Sequence, residues 1–243
     1  MRLALNCHTS YNFPMNISDW NLALGVLRQA NWLKAYPIEL AERLLAEGRL
    51  VHLNAGEWAQ SEGDDRSGLY VVMEGVLHTY CSAPGDRLVM IGLAEAGAVL
   101  GHATRFSGGP RLVTAVCVEP CVLLEISEAA LERVAESQAD IWRAIADFTY
   151  ANMRSVLRMA ADAISLPPRQ HIVARLLAAA AVGDSAEIPV VRISQDLLGE
   201  MIGVTRKTVN HHLSKLERDG LLKLGYGRIE LLDLERLRAV ANG

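Results

Sequence analysis

No run of eighteen apolar residues occurs in this chain; its longest candidate, "LLAAAAV", is bounded by Arg175 and Gly183, so nothing is long enough to cross a bilayer as a helix. The opening "MRLALNCHTS" has too short an apolar core for a secretory signal, and a cytoplasmic, membrane-free protein is expected. Cysteine is scarce. Cys7, Cys81, Cys117 and Cys121 lack the close pairs of a zinc site and the density of a secreted scaffold, which points to reduced thiols. The nearest pair, "CVEPC", has neither zinc-site nor redox spacing. An overall basic excess is also missing, since the formal net charge is −4.

Hydrophobic content of 51% with ordinary Gly and Pro usage is that of a globular chain, and 243 residues suffice for one large domain or two modest ones. The charge is uneven. Residues 1–165 carry 13 Lys plus Arg against 19 Asp plus Glu, whereas residues 166–243 carry 11 against 9. An anionic partner would therefore meet the C-terminal part.

An α+β chain in three parts is expected. Residues 21–47 read as helical, and from Gly48 to Ile126 short β-branched runs such as "GLYVVMEGVLHTY" and "PGDRLVMIGL" are cut by turn residues. Pro84-Gly85-Asp86 is a turn, and Gly75 and Gly97 mark tight backbone positions. Together these give a β-roll or jelly-roll domain over 21–126. From Glu128 to Ile164 no Pro or Gly intervenes and Ser127 stands as an N-cap, predicting one helix of some ten turns within a segment 127–165. Trp142, Ile145, Thr149, Asn152, Val156, Met159 and Ala163 recur at 3,4 spacing, the pattern of a seam with a second copy of the helix. "LPPRQ" then breaks it as a hinge, and 166–243 forms a helical domain that closes on a β-hairpin around Gly225-Tyr226-Gly227.

Within "ISQDLLGEMIGVTRKTVNHHLSKLERDG" two helix starts are built alike. Ser194 caps the first between Ile193 and Leu198, and Thr205 caps the second between Val204 and Val209. Gly203 turns the chain between them. On the second helix Val209, Leu213 and Leu216 face inward, which turns Arg206, Lys207, Asn210, His211 and Ser214 out, with Thr208 alongside. Arg and Lys donate to guanine O6 and N7, Asn can pair with adenine, and a helix N-terminus favours phosphate. These residues predict a recognition helix for double-stranded DNA.

The chain resembles the CRP/FNR family of bacterial transcription regulators over about residues 30–240, most specifically in "ISQDLLGEMIGVTRKTVNHHLSKLERDGLL…GRIELLD", which is similar to the family's winged helix-turn-helix signature. The resemblance implies a homodimer joined along the long helices, an effector pocket in each roll, a near-palindromic operator and recruitment of RNA polymerase. The recognition helix departs from the family's usual Arg-Glu-Thr-Val-Asn-Arg: Lys207 replaces a Glu that accepts from cytosine, so a different half-site is expected. His211 replaces an Arg, losing a fork and making that contact depend on pH.

The same resemblance aligns "LGHATRFSGGPRLVTA", 100–115, with the family's phosphate cassette. Gly101 and Arg111 match. His102 stands in place of the Glu that holds the ribose, and Leu112 in place of a phosphate-binding Ser, with Thr114 as a candidate replacement hydroxyl. Hydrogen bonds to charged groups contribute roughly 1.5–3 kcal/mol each, so losing two weakens a cyclic nucleotide by about 10²–10⁴-fold. Cyclic AMP, another nucleotide, haem on His78 or His102, and no effector at all stay open. An iron–sulfur cluster would need an N-terminal cysteine group, and only Cys7 is there. No catalytic or metal-ligating set is expected. The rival reading from another class is a cupin-like metalloenzyme with His52, His78 and His102 as ligands.

Overall fold

The computed structural model describes residues 17–65, 68–85, 87–102, 108–180 and 188–243. Expectations on Cys7, Asp86 and Gly183, and on residues 103–107 of the cassette, lie outside them. The described part begins with α1 (Ile17–Gln29) and α2 (Ile38–Glu47). Leu40, Ala41, Leu44 and Leu45 lie one turn apart and form the buried face of α2. Gly48 then brings the backbone against Leu124, whose Cδ1 would lie 2.7 Å from an added Cβ.

Eight strands follow: β1 (Arg49–Leu53), β2 (Trp58–Gln60), β3 (Leu69–Glu74), β4 (Leu77–Ala83), β5 (Arg87–Ala94), β6 (Val99–Leu100), β7 (Thr114–Cys117) and β8 (Cys121–Ile126). One antiparallel sheet has the order β1-β8-β3-β6, with Val51 opposite Leu123 and Val71 opposite Leu124. β2 pairs antiparallel with β7 across a bulge at Trp58/Gln60, and β4 and β5 are neighbours. The expected tight positions are real. Gly75 sits at φ +89 and Gly97 at φ +86, and an added Cβ at Gly75 would meet Cys121 Sγ at 2.6 Å. Leu53, Val72, Leu77, Leu100, Ala115, Cys117, Cys121 and Leu123 fill the space between the strands.

Beyond the roll the expected single helix is two, α3 (Glu128–Ser137) and α4 (Asp140–Ser165). Ser127 does cap the first, accepting from the Ala130 N–H at 3.2 Å. The break falls at Gln138, which leaves the helical conformation at φ −136, ψ 69, while its N–H still reaches Val134 O. Buried Ala130, Val134, Ile141 and Ile145 run through the break in helical phase, so periodicity alone reads one helix. The proline pair ends α4 as expected, and Pro168 opens α5 (Pro168–Ala180) at the position where a missing N–H costs nothing.

The C-terminal part continues with β9 (Val190–Val191), α6 (Gln195–Ile202), α7 (Arg206–Arg218), β10 (Leu222–Gly225), β11 (Arg228–Leu231) and α8 (Leu234–Asn242). The predicted hairpin β10–β11 gains β9 as a third antiparallel strand. α8 was not anticipated; its start is set by Asp233, which accepts from the Arg236 N–H at 2.9 Å. Ile172, Val173, Leu176, Leu198, Val209, Leu213, Leu216, Ile229 and Leu237 form the core here.

Contacts group the chain in two compact units, one running up to Leu77 and taking in Ala94–Ile145, the other His78–Leu93 with Ala146–Gly243. The β4–β5 hairpin thus belongs with the C-terminal helices. Met90 is fully buried in their core, and Tyr80 and Leu93 pack on it. Among the described residues, no helix is long and apolar enough to cross a membrane.

Candidate nucleic-acid interface

Two capped helices with a left-handed glycine between them set the interface. Ser194 Oγ accepts from the Leu197 N–H at 3.2 Å, and Thr205 Oγ1 from the Thr208 N–H at 3.2 Å. Gly203 sits at φ +72. Gly199 completes the corner, since a Cβ there would lie 2.7 Å from Val204 O, and it allows the two helices to approach closely. Burial of Val209, Leu213 and Leu216 fixes which face of α7 is outward.

That outward face is one open concavity of about 380 Å³ lined by Arg206, Lys207, Asn210 and His211. Thr208 is hydrogen-bonded to the Thr205 hydroxyl at 3.0 Å, so it serves the cap, as does Ser194 on α6. Arg206 Nη1 is 3.2 Å from Asp196 Oδ2 of α6, an exposed pair that orients the fork and adds little stability. The Ser214 hydroxyl donates to Asn210 Oδ1 at 3.0 Å. His211 stands edge-on to His212 at 5.2 Å. Burial, then the neighbouring His211, Arg169 and Lys215 charges, holds His212 below the usual histidine range. Asp196 was missed by sequence reading, although its place in the first turn of α6 was visible there.

A second contact surface lies on the hairpin. Tyr226 at its tip is fully exposed, with Lys223 and Arg228 on the strands beside it, each near Glu230 at 3.8 and 3.6 Å. The backbone N–H of Leu224 donates to Glu217 at 2.7 Å, tying α7 to the hairpin.

In the roll the cassette residues are only partly brought together. Arg111 is 3% exposed, donates from Nη1 to Gly68 O at 3.0 Å and lies over the Tyr70 ring at 5.7 Å. Gly101, at φ +81, lies under this guanidinium; a Cβ there would be 1.3 Å from Arg111 Nη1. His102 is beside them, and burial together with the Arg111 charge lowers its pKa to about 4, keeping it neutral. Leu112 points outward, 64% exposed. Thr114 is buried and its hydroxyl accepts from the Glu62 N–H at 3.0 Å, so that oxygen holds the roll's own backbone. Gly68 and Tyr70, the partners of Arg111, had no signal in the sequence.

The expected seam divides. Ile145 is buried within this chain, Trp142, Thr149, Asn152 and Met159 are half-buried, and Val156 and Ala163 are exposed. The large apolar side chains left outward on α4 are Tyr150, Met153, Val156, Leu157 and Ile164. Tyr150, Met153, Leu157 and Ile164 follow 3,4,7 spacing, about one residue round the helix from the expected stripe.

Among the described residues no three His, Cys, Asp or Glu side chains could hold a metal ion, which is what ligation by His52, His78 and His102 required. His52 lines a small cavity of about 140 Å³ beneath α1 instead. Cys117 and Cys121 are buried, and burial with the neighbouring Cys121 pushes the Cys117 thiol up to about 12.

Comparison with known proteins gives two family models: a cyclic nucleotide-binding domain over residues 50–138 and a Crp-like helix-turn-helix domain over 170–240. The nitrogen fixation regulation protein FixK of Bradyrhizobium diazoefficiens is 32% identical over 205 residues, covering 80% of this chain and 82% of its own. A CRP-like cAMP-activated global transcriptional regulator of Mycobacterium tuberculosis is 22% identical, covering 75% and 83%. The solved structure of FixK2 from Bradyrhizobium japonicum superposes with a TM-score of 0.70 at 20% identity, covering 79% and 96%, a likeness of fold.

Proposed function

Since the chain belongs to the CRP/FNR family of transcription regulators, which are DNA-binding proteins and not enzymes, we propose that it acts as a homodimer on a near-palindromic operator. Each α7 enters a major groove, and α6 crosses the backbone above it. One observation carries this reading: Arg206, Lys207, Asn210 and His211 share an open face on a helix whose caps and buried back leave it one orientation. The hairpin tip, with Lys223, Tyr226 and Arg228, then meets the flanking backbone. Bound beside a promoter, the dimer recruits RNA polymerase.

The test is direct. Operators are selected from random duplexes with the full-length protein, and binding is measured by anisotropy. Arg206→Ala should weaken specific binding by about 1–3 kcal/mol. Equal binding across operator variants would sink the recognition-helix assignment.

The apolar side chains left outward on α4 support dimerisation along that helix, on the face of Tyr150, Met153, Leu157 and Ile164. For the roll, the family model makes a cyclic nucleotide the effector class to test. Leu112 and Thr114 argue against it, because Leu112 points outward and brings no hydroxyl while the Thr114 hydroxyl holds the Glu62 N–H; Arg111 Nη1, for its part, is bonded to Gly68 O. On this reading the roll operates without a cyclic phosphate.

A further inference from the structure

The donors on α7 are arranged more selectively than residue types alone suggest. Asn210 is exposed and Ser214, one turn further on, is half-buried and donates its hydroxyl hydrogen to Asn210 Oδ1 at 3.0 Å. A side-chain amide reads adenine by setting its oxygen and nitrogen side by side on the base edge, the oxygen accepting from N6 while the nitrogen donates to N7. Turning the oxygen along the helix towards Ser214 breaks that arrangement. The NH₂ group is then what faces outward. Of its neighbours in the same concavity, Arg206 and Lys207 have donors and no acceptor, and His211 lies beside them. The carboxylate of Asp196 is paired with Arg206.

We propose that Ser214 is a specificity-determining positioning residue: by drawing the Asn210 amide oxygen along the helix it leaves the NH₂ group to meet the base, so that guanine or thymine is favoured over adenine at the position Asn210 reads. Guanine offers N7 and O6 and thymine O4 as acceptors; adenine also offers N7, but its N6 amino group beside it, like the N4 amino group of cytosine, would meet no acceptor from Asn210. This rests on the DNA-binding reading above. It also replaces the adenine expected for Asn210 from residue type.

The experiment uses the full-length protein and randomised duplexes, with the base facing Asn210 located as the position whose preference disappears in Asn210→Ala. At that position the wild type should favour guanine or thymine over adenine by about 5- to 150-fold. Ser214→Ala should admit adenine there, and Ser214→Thr, which keeps a hydroxyl on the same carbon, should retain the wild-type preference. A merely structural serine would lower the thermal midpoint and leave the base preference as it was. Wild type preferring adenine or cytosine, or Ser214→Ala with an unaltered preference, overturns the proposal. Failure to select any sequence would overturn the recognition-helix reading itself, which the other outcomes leave standing.

Discussion

Replacing Gly101 by alanine tests the account of the roll most directly. Two terms are worked from the structure. The residue sits at φ +81, where a Cβ costs roughly 1–2 kcal/mol. That Cβ would also lie 1.3 Å from Arg111 Nη1 and 2.7 Å from Gly68 O, so the guanidinium must leave its place and lose the bond to Gly68. A buried hydrogen bond from a charged group contributes about 1.5–3 kcal/mol. The expected destabilisation is about 3–5 kcal/mol, and at about 2–4 °C per kcal/mol for a chain of this size the thermal midpoint should fall by roughly 6–20 °C. Circular dichroism melts would measure it, with Arg111→Ala and the double variant closing a cycle. Because both changes disturb one contact, the double variant should be less destabilised than the two singles added together. A midpoint within 2 °C of wild type, or strictly additive effects, would refute the placement of Arg111.

Titrating cyclic AMP calorimetrically should give no heat at millimolar ligand; saturation in the micromolar range would show that Arg111 leaves Gly68 readily and that the roll is a nucleotide switch. If the proposed dimer forms along α4, Leu157→Asp should give monomers in sedimentation and abolish operator binding, and a dimer left intact by it would move the seam off this face of α4. The thiols of Cys117 and Cys121 should react with a disulfide reagent at pH 8 only on unfolding, whereas reaction as fast as that of half-buried Cys81 would contradict their burial. His102 is neutral when folded, with a pKa of about 4 against 6.5 unfolded. Its share of stability is therefore full above pH 6.5 and lost as pH falls towards 4, by up to about 3 kcal/mol. His102→Gln should flatten that part of the stability profile; an unchanged slope between pH 6.5 and 4 would refute it.

The DNA-reading end was legible in the sequence because its determinants are local. Ser194, Gly203 and Thr205 act on neighbours three or four residues away, and Val209, Leu213 and Leu216 state a face on their own. Where distant contacts decide, the reading fell short. The cassette showed that an arginine stands at 111, but the direction of its side chain is set by Gly68 and Tyr70, some forty residues earlier. Helix α4 carries two apolar stripes, and burial of Ile145 by its own chain decides which is left outward. The break at Gln138 is silent because the buried stripe continues in phase across it.

Met90 ties the hairpin of the roll to the core that supports α7. A fragment cut at the proline hinge would expose the apolar surface that Met90, Tyr80 and Leu93 cover, and should be prone to self-association. Recombination between relatives meets the same obstacle: a chimera that exchanges only the last third of the chain inherits a mismatched hole or a misfitting methionine. Residues 78–93 would have to travel with the reading head, although more than a hundred positions separate Leu93 from the start of α7 at Arg206.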